Sequence, residues 1–531
     1  MKNIFLALII LGAVYFFFYG SLFDRENEPN PLNELKEKYT NKAKPLVDHS
    51  KLAALNKEFK TAQEVTLACL SCHNEIHEGV MKNNHWQWER EDFVKGRGVT
   101  YYGKKNGINN FCIGIGGSEK ACNRCHVGFG YSDYTFDFKD SSNIDCMACH
   151  AGAGEYSKGK NLAGYPAASI DLGKAARSVG LPTRYNCGTC HFFSGGGNNV
   201  KHGDLEKSLF SANRDVDVHL GVDGVNMECV DCHTATDHKM KGRLYALSST
   251  NNNRLLCEDC HTETPHKSDI INEHTVKVAC QTCHIPTYSK VNKTNTYWDW
   301  STSGKLKDGK PYIVADEEEN HLYMSIKGNF VWKKNLKPDY TWFNGTAQHY
   351  MPFDVVDTNT PIKINELNGS YADKDSKIIP YKMHITRQIY DTKFKRIILP
   401  HLFSDTKEQG GYWKLFDWDV AAKSGMIYYK NLFGLNMSDD SCYSGEHAFV
   451  TTEMAWPLNH MVSTAEKAVK CEECHTSEGS RLEKLTGFYM PGRDRNSLIE
   501  TFGFLAIVLS FLGVLGHGAI RIFMSKKYKK H

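Results

Sequence analysis

The motif C-x-x-C-H occurs eight times in this chain: Cys69, Cys72 and His73; Cys122, Cys125 and His126; Cys146, Cys149 and His150; Cys187, Cys190 and His191; Cys229, Cys232 and His233; Cys257, Cys260 and His261; Cys280, Cys283 and His284; and Cys471, Cys474 and His475. With 18 Cys and 24 His among 531 residues, chance gives roughly 0.03 such matches. A zinc ribbon pairs two C-x-x-C units and does not call for a histidine after each one. The repeated histidine reads instead as covalent c-type haem, eight groups in all, each with two cysteine attachments and a proximal imidazole. Eight motifs use 16 of the 18 cysteines, which leaves Cys112 and Cys442.

Seven motifs fall between Cys69 and His284, about 30 residues per porphyrin, too few for an ordinary apolar core around each. The haems must form much of the core themselves. The motif spacing is irregular, which excludes a solenoid of identical repeats. The expected fold is mainly α, with much irregular loop and a few short strands. It is a multihaem cytochrome c fold flanked by N- and C-terminal transmembrane helices. Net charge is +3, from 64 basic and 61 acidic residues. Nothing there argues for nucleic acid, and attraction for an anion would have to be local.

The two ends are apolar. Residues 1–22 read as a signal anchor or a signal peptide, the anchor being favoured because no small-x-small cleavage site follows Tyr19. Residues 501–524 read as a transmembrane helix and 525–531 as a basic cytoplasmic tail. Both ends then lie inside and the haem region lies in the periplasm of a bacterium. His517, in the second span, either binds a haem b or quinol or simply reaches the interface. Between the ends lie a polar helical linker (23–66), a seven-haem region (67–290), an aromatic-rich haem-free region read as a cover over the haems (291–440), and a helical region with the eighth haem (441–500). "KLAALNKEFKTAQEVTLACLSCH" and "EMAWPLNHMVSTAEKAVKCEECH" both read as helices entering haem sites; "PYIVA" and "FKRIIL" read as short strands.

Eight proximal ligands leave 16 histidines. A haem that only transfers electrons takes a second strong protein ligand, whereas a catalytic haem keeps a displaceable position. Seven histidines stand where a distal ligand is expected: His85, His219, His238, His266, His274, His447 and His460. His77 and His202 are reserves.

The pattern resembles the octahaem tetrathionate reductase family of periplasmic cytochromes, relatives of pentahaem nitrite reductases and hydroxylamine oxidoreductases. The resemblance runs from about Cys69 to His475. It is carried by "NNFC", "CGTCHFFSGGGNNVKHGD", "DVHLG", "CQTCHIPTYS", "YWDWS", "WFNG" and "EMAWPLNHMV". It implies seven bis-histidine haems and a catalytic second haem, at His126, whose distal ligand is a lysine. That lysine corresponds to Lys201, and the pocket residues to Cys112 and Asn109, with His202 alongside. Asn198 stands where the family can carry an Asp.

An amine binds iron only when neutral, so Lys201 needs a desolvated setting. Cys112 either attacks an S–S bond, lines the pocket, or pairs with Cys442. The implied activity is reduction of small sulfur or nitrogen oxyanions such as tetrathionate or nitrite, or of hydroxylamine. Electrons would come from a quinol-linked membrane or periplasmic cytochrome, and a homo-oligomer is compatible. Two alternatives stay open: a non-catalytic electron conduit, and an oxidase acting on hydroxylamine.

Overall fold

The computed structural model describes residues 31–528, apart from 41, 43–44, 95 and 243–249. The expected N-terminal anchor and the end of the basic tail lie outside the described residues.

Around the motifs, regular structure comes in single turns. Cys229–Cys232, Cys280–His284, Cys471–Cys474 and Met147–His150 are helices of four or five residues, and Cys257–Asp259 is one 3-10 turn. The longer helices Ala62–Leu70 and Arg184–His191 each deliver one motif. Thr61 caps the first, accepting from the Glu64 N–H. One turn suffices for C-x-x-C-H, because positions i, i+3 and i+4 share a helix face. The buried apolar residues of this half fall into small separate clusters, such as Phe192, Leu209, Ala212 and Val216.

From Thr294 to Pro457 the chain builds a nine-stranded sheet. Its order is Ile362–Lys363, His447–Pro457, Lys377–Asp391, Thr294–Asp299, Gly328–Lys333, His321–Met324 and Ile313–Ala315; Asp339–Phe343 and Arg396–Ile397 pair with the ends of Lys377–Asp391. The 15-residue strand Lys377–Asp391 is the spine. It pairs antiparallel with His447–Pro457 from Tyr381↔Pro457 to Asp391↔His447, and parallel with Thr294–Asp299. The largest apolar cluster sits here, from Ile108 and Ile113 through Trp298 and Trp300 to Trp456. Helix Trp418–Leu432 buries Ala421, Ala422, Gly425, Met426 and Tyr429 against it. Its Tyr429 hydroxyl accepts from the Gly116 N–H at 2.9 Å. A Cβ on Gly116 would lie 2.5 Å from that ring, so the "CIGIGG" loop needs glycine to approach.

The sheet corrects the mainly-α expectation. "EMAWPLNHMV" is strand up to Pro457 and irregular beyond, not a helix. His447–Pro457, beyond the expected boundary at 440–441, pairs along its whole length with a strand of the haem-free region. "KLAALNKEFKTAQEV" is two 3-10 turns before the helix starts at Ala62.

At the C-terminus, Ser497–Tyr528 is one 32-residue helix. Its Ser497–Ser525 portion is long and apolar enough to cross a membrane, and none of its most apolar window is buried against the protein. The chain before it is fastened down: Arg493 donates to the carbonyls of Leu482, Leu485 and Phe488. Leu482, Leu485 and Met490 pack on Tyr340, Trp342 and Ile378 of the sheet.

Candidate haem sites and reaction pocket

Seven of the eight motif histidines face a second histidine ring. The pairs are His49 with His73 at 6.3 Å between ring centroids, His85 with His191 at 6.0 Å, His150 with His238 at 6.3 Å, His219 with His261 at 6.2 Å, His233 with His460 at 6.4 Å, His266 with His284 at 6.3 Å, and His274 with His475 at 6.1 Å. A metal held between two imidazoles, about 2 Å from each nitrogen, separates the ring centroids by about 6 Å. The chain thus offers seven spaces of the right width for an axially ligated iron.

The outer nitrogens agree. Nδ1 of His150, His233, His274 and His475 faces a backbone carbonyl at 2.6–3.0 Å. Nδ1 of His85 faces Asn83 Oδ1 at 3.0 Å, and that of His266 faces Asn272 Oδ1 at 3.2 Å. His460 Nδ1 faces Asp204 Oδ2 at 3.2 Å. A proton held on Nδ1 fixes the tautomer that leaves Nε2 free to bind metal.

Six of the seven expected distal histidines stand in these pairs. The exception is His447, which bonds through Nδ1 to Asp419 at 2.8 Å and to Tyr443 at 3.1 Å. Strand pairing holds it opposite Asp391 and so fixes it at the far end of the sheet. His49 fills the seventh pair. It lies in a 3-10 turn capped by Asp48, inside the stretch read as a linker. The reserves His77 and His202 face no motif histidine among the described residues.

The motifs also stand side by side. Cys69 lies beside Cys146, Cys125 beside Cys190, Cys187 beside Cys229, and Cys257 beside Cys280. Cys149 with Cys187, Cys232 with Cys260, and Cys283 with Cys471 are electrostatic neighbours. Neighbouring cysteines therefore link the first motif to the third, fourth, fifth, sixth, seventh and eighth. The second joins as a branch at the fourth.

His126 is the motif histidine that differs. It is fully buried in a box of Trp86, Trp88, Tyr131, Phe136 and Phe138, and no histidine ring faces it among the described residues. Lys201 stands near, close enough to Cys125 and Cys112 to feel both. Its amine lies 4.6 Å from the Trp456 ring centroid and 5.9 Å from that of Phe111. Lys201 keeps some surface open, but its amine is deep enough that burial pushes it down to about 8.

Cys112 donates to the Gly195 carbonyl at 3.3 Å, and Cys442 bonds to the Ser438 carbonyl; both are free thiols, so the pairing between them is not made. Burial pushes the Cys112 thiol up, opposed by the ammonium groups of Lys327, Lys104 and Lys201. Asn109 accepts from the N–H groups of Phe111 and Cys112, so it shapes the loop that carries the thiol. Asn198 accepts from the Lys207 N–H. His202 packs edge-on against Trp456, and burial lowers its affinity for a proton.

Both pocket loops are pinned by one face of strand Lys377–Asp391. Its inward residues Lys382, His384, Thr386 and Gln388 are all buried and all polar. Lys382 donates to the loop of Lys201. His384 faces Asn110 Oδ1 at 3.0 Å, Thr386 donates to the Asn110 carbonyl, and Gln388 donates to the Asn109 carbonyl at 3.0 Å. No spacing rule marks these four residues.

Comparison with known proteins agrees with this geometry. Residues 295–478 match the family described as cytochrome c bacterial, and residues 212–285 match cytochrome c7 and related cytochrome c. An uncharacterized protein of Archaeoglobus fulgidus is 25% identical over 36% of this chain and 80% of its own length. The crystal structure of an octahaem cytochrome c from Shewanella oneidensis superposes with a TM-score of 0.75 at 42% identity, covering 82% of this chain and 95% of that one. The chain belongs to the octahaem cytochrome c family. It carries covalently bound haem c, and its role is redox. Seven motif histidines face a second ring, whereas His126 has none facing it among the described residues and its Nε2 faces the Trp86 carbonyl at 2.6 Å.

Proposed function

We propose that this cytochrome carries eight haems and is a membrane-attached, periplasm-facing reductase of small sulfur or nitrogen oxyanions, with its reaction site at the second motif and Lys201 as the displaceable distal ligand. The observation that carries the reading is the unpaired His126 beside a buried lysine, against seven paired motif histidines. Haem iron supplies electrons in single steps and, where an axial ligand can leave, a place for an oxyanion to bind.

The chain's own residues do the rest. Lys201 offers an amine whose proton burial has made easier to lose, so it would hold haem iron as a neutral donor and could take up a proton when not so engaged. Lys327, Lys104 and Lys201 are the charges that act most strongly on Cys112. They give a near-neutral molecule the local positive field that an anion needs. Cys112 holds its proton and lines the pocket, since a thiol raised by burial is a poor nucleophile.

The test is spectroscopic. Lys201→His should convert the second haem to a bis-histidine signature and abolish turnover, while the other haems stay unchanged. Lys201→Ala should leave that one haem open to water and exogenous ligand. Unchanged spectra and turnover in both variants would remove Lys201 from the site. The succession of neighbouring motifs from first to eighth would then favour a plain electron conduit.

A further inference from the structure

Lys382 has no exposed surface, and its amine meets three acceptors: the Val200 carbonyl at 2.8 Å, the Lys201 carbonyl at 3.1 Å and Thr294 Oγ1 at 2.7 Å. The Thr294 hydroxyl donates in turn to the Asn199 carbonyl at 2.6 Å. Three consecutive carbonyls of the loop that carries Lys201 thus end on two side chains from neighbouring strands of the sheet. Every group that faces the amine accepts: two are carbonyls, and the third has spent its proton on Asn199. The stem is used as well. Gly203 has φ +88°, and a Cβ there would lie 2.9 Å from Lys382 Cδ, so the loop folds directly onto the methylenes.

We propose that Lys382 is a positioning residue for Lys201: it fixes the peptide from which the Lys201 side chain leaves and so sets the balance between amine-bound and open iron at the second haem. The haem-free sheet then belongs to the reaction site rather than merely covering it. The inference rests on the reading of Lys201 as distal ligand.

The experiment uses the full-length holoprotein and cyanide as the probe anion. Lys382→Met and Thr294→Val, each with full haem content, should raise the high-spin fraction of one haem and tighten cyanide binding several-fold, because a loosened loop makes Lys201 a weaker competitor. Thr294→Val should give the smaller change, and it decides the matter if Lys382→Met fails to take up haem. Lys201→Ala is the reference. If it opens the second haem while the other two variants match wild type in spectrum and cyanide affinity, the inference is overturned and the distal-ligand reading stands. If Lys201→Ala itself changes nothing, both fall. A merely stabilising role would shift unfolding without singling out one haem.

Discussion

Among the paired histidines, His460 is distinguished by what stands behind it. Asp204 is 1% exposed and accepts from the backbone N–H groups of Asn459 and His460 as well as facing His460 Nδ1. Burial lowers the His460 ring's affinity for a proton, and the carboxylate more than offsets this. A carboxylate on the outer nitrogen makes an imidazole more basic, which favours ferric iron. Asp204→Asn should therefore raise the midpoint potential of one haem, that of His233, by an amount on the order of 59 mV, a tenfold one-electron shift. Spectroelectrochemical titration reads this, and eight unchanged potentials would refute it.

Glu119 gives a pH prediction. It is 1% exposed, accepts from the Tyr428 hydroxyl at 2.5 Å, and is pushed by burial from 4.5 up to about 7. The folded chain therefore holds a proton that the unfolded chain releases near 4.5. That stability is complete below 4.5 and is lost as pH rises through 7, roughly 3 kcal/mol in all. Glu119→Gln should flatten the guanidinium midpoint between pH 5 and 8, where wild type declines.

The ring pairs show what sequence context can and cannot reveal. His238 and His266 stood out because each follows a motif by a few residues, yet each faces a motif other than its neighbour in sequence: His238 faces His150 and His266 faces His284. His49 did not stand out, because it reaches His73 from a turn 24 residues away that carries no marker of its own. His447 looked suitable from its place before the last motif, but strand register carries it elsewhere.

At the scale of elements, the missed feature is strand Lys377–Asp391. Its alternation is real, with Lys382, His384, Thr386 and Gln388 inward and Tyr381, Met383, Ile385 and Arg387 less buried. The polarity runs opposite to the usual rule, because the inward side chains bind loop backbone instead of packing in oil. A search for apolar-in alternation therefore passes over it. The C-terminal helix was legible because unbroken hydropathy needs no partner to be seen. With residues 1–22 replaced by a cleaved secretion signal, the chain should stay in the membrane fraction, and ending it at Asn496 should then move it to the soluble one with its haem spectrum unchanged; release before that truncation would remove this helix as an anchor.

For the whole molecule, the motif count makes a definite demand. Intact-mass analysis should find eight haems per chain, each attached through two cysteines, with no disulfide to compete. A deficit would be informative at the eighth motif, which follows the seventh by 191 residues (Cys280 to Cys471).

The eighth motif also precedes the long apolar C-terminal helix, and there the clamp on Arg493 has a mechanical consequence. Only residues 494–496 lie between the clamped arginine and Ser497, a tether of roughly 10 Å even when fully stretched. With the helix in a bilayer, the haem-bearing body would have almost no swing and could not sweep the space beside the membrane as a ball on a string would. It would be a docking post of fixed height, and any partner would have to come to it.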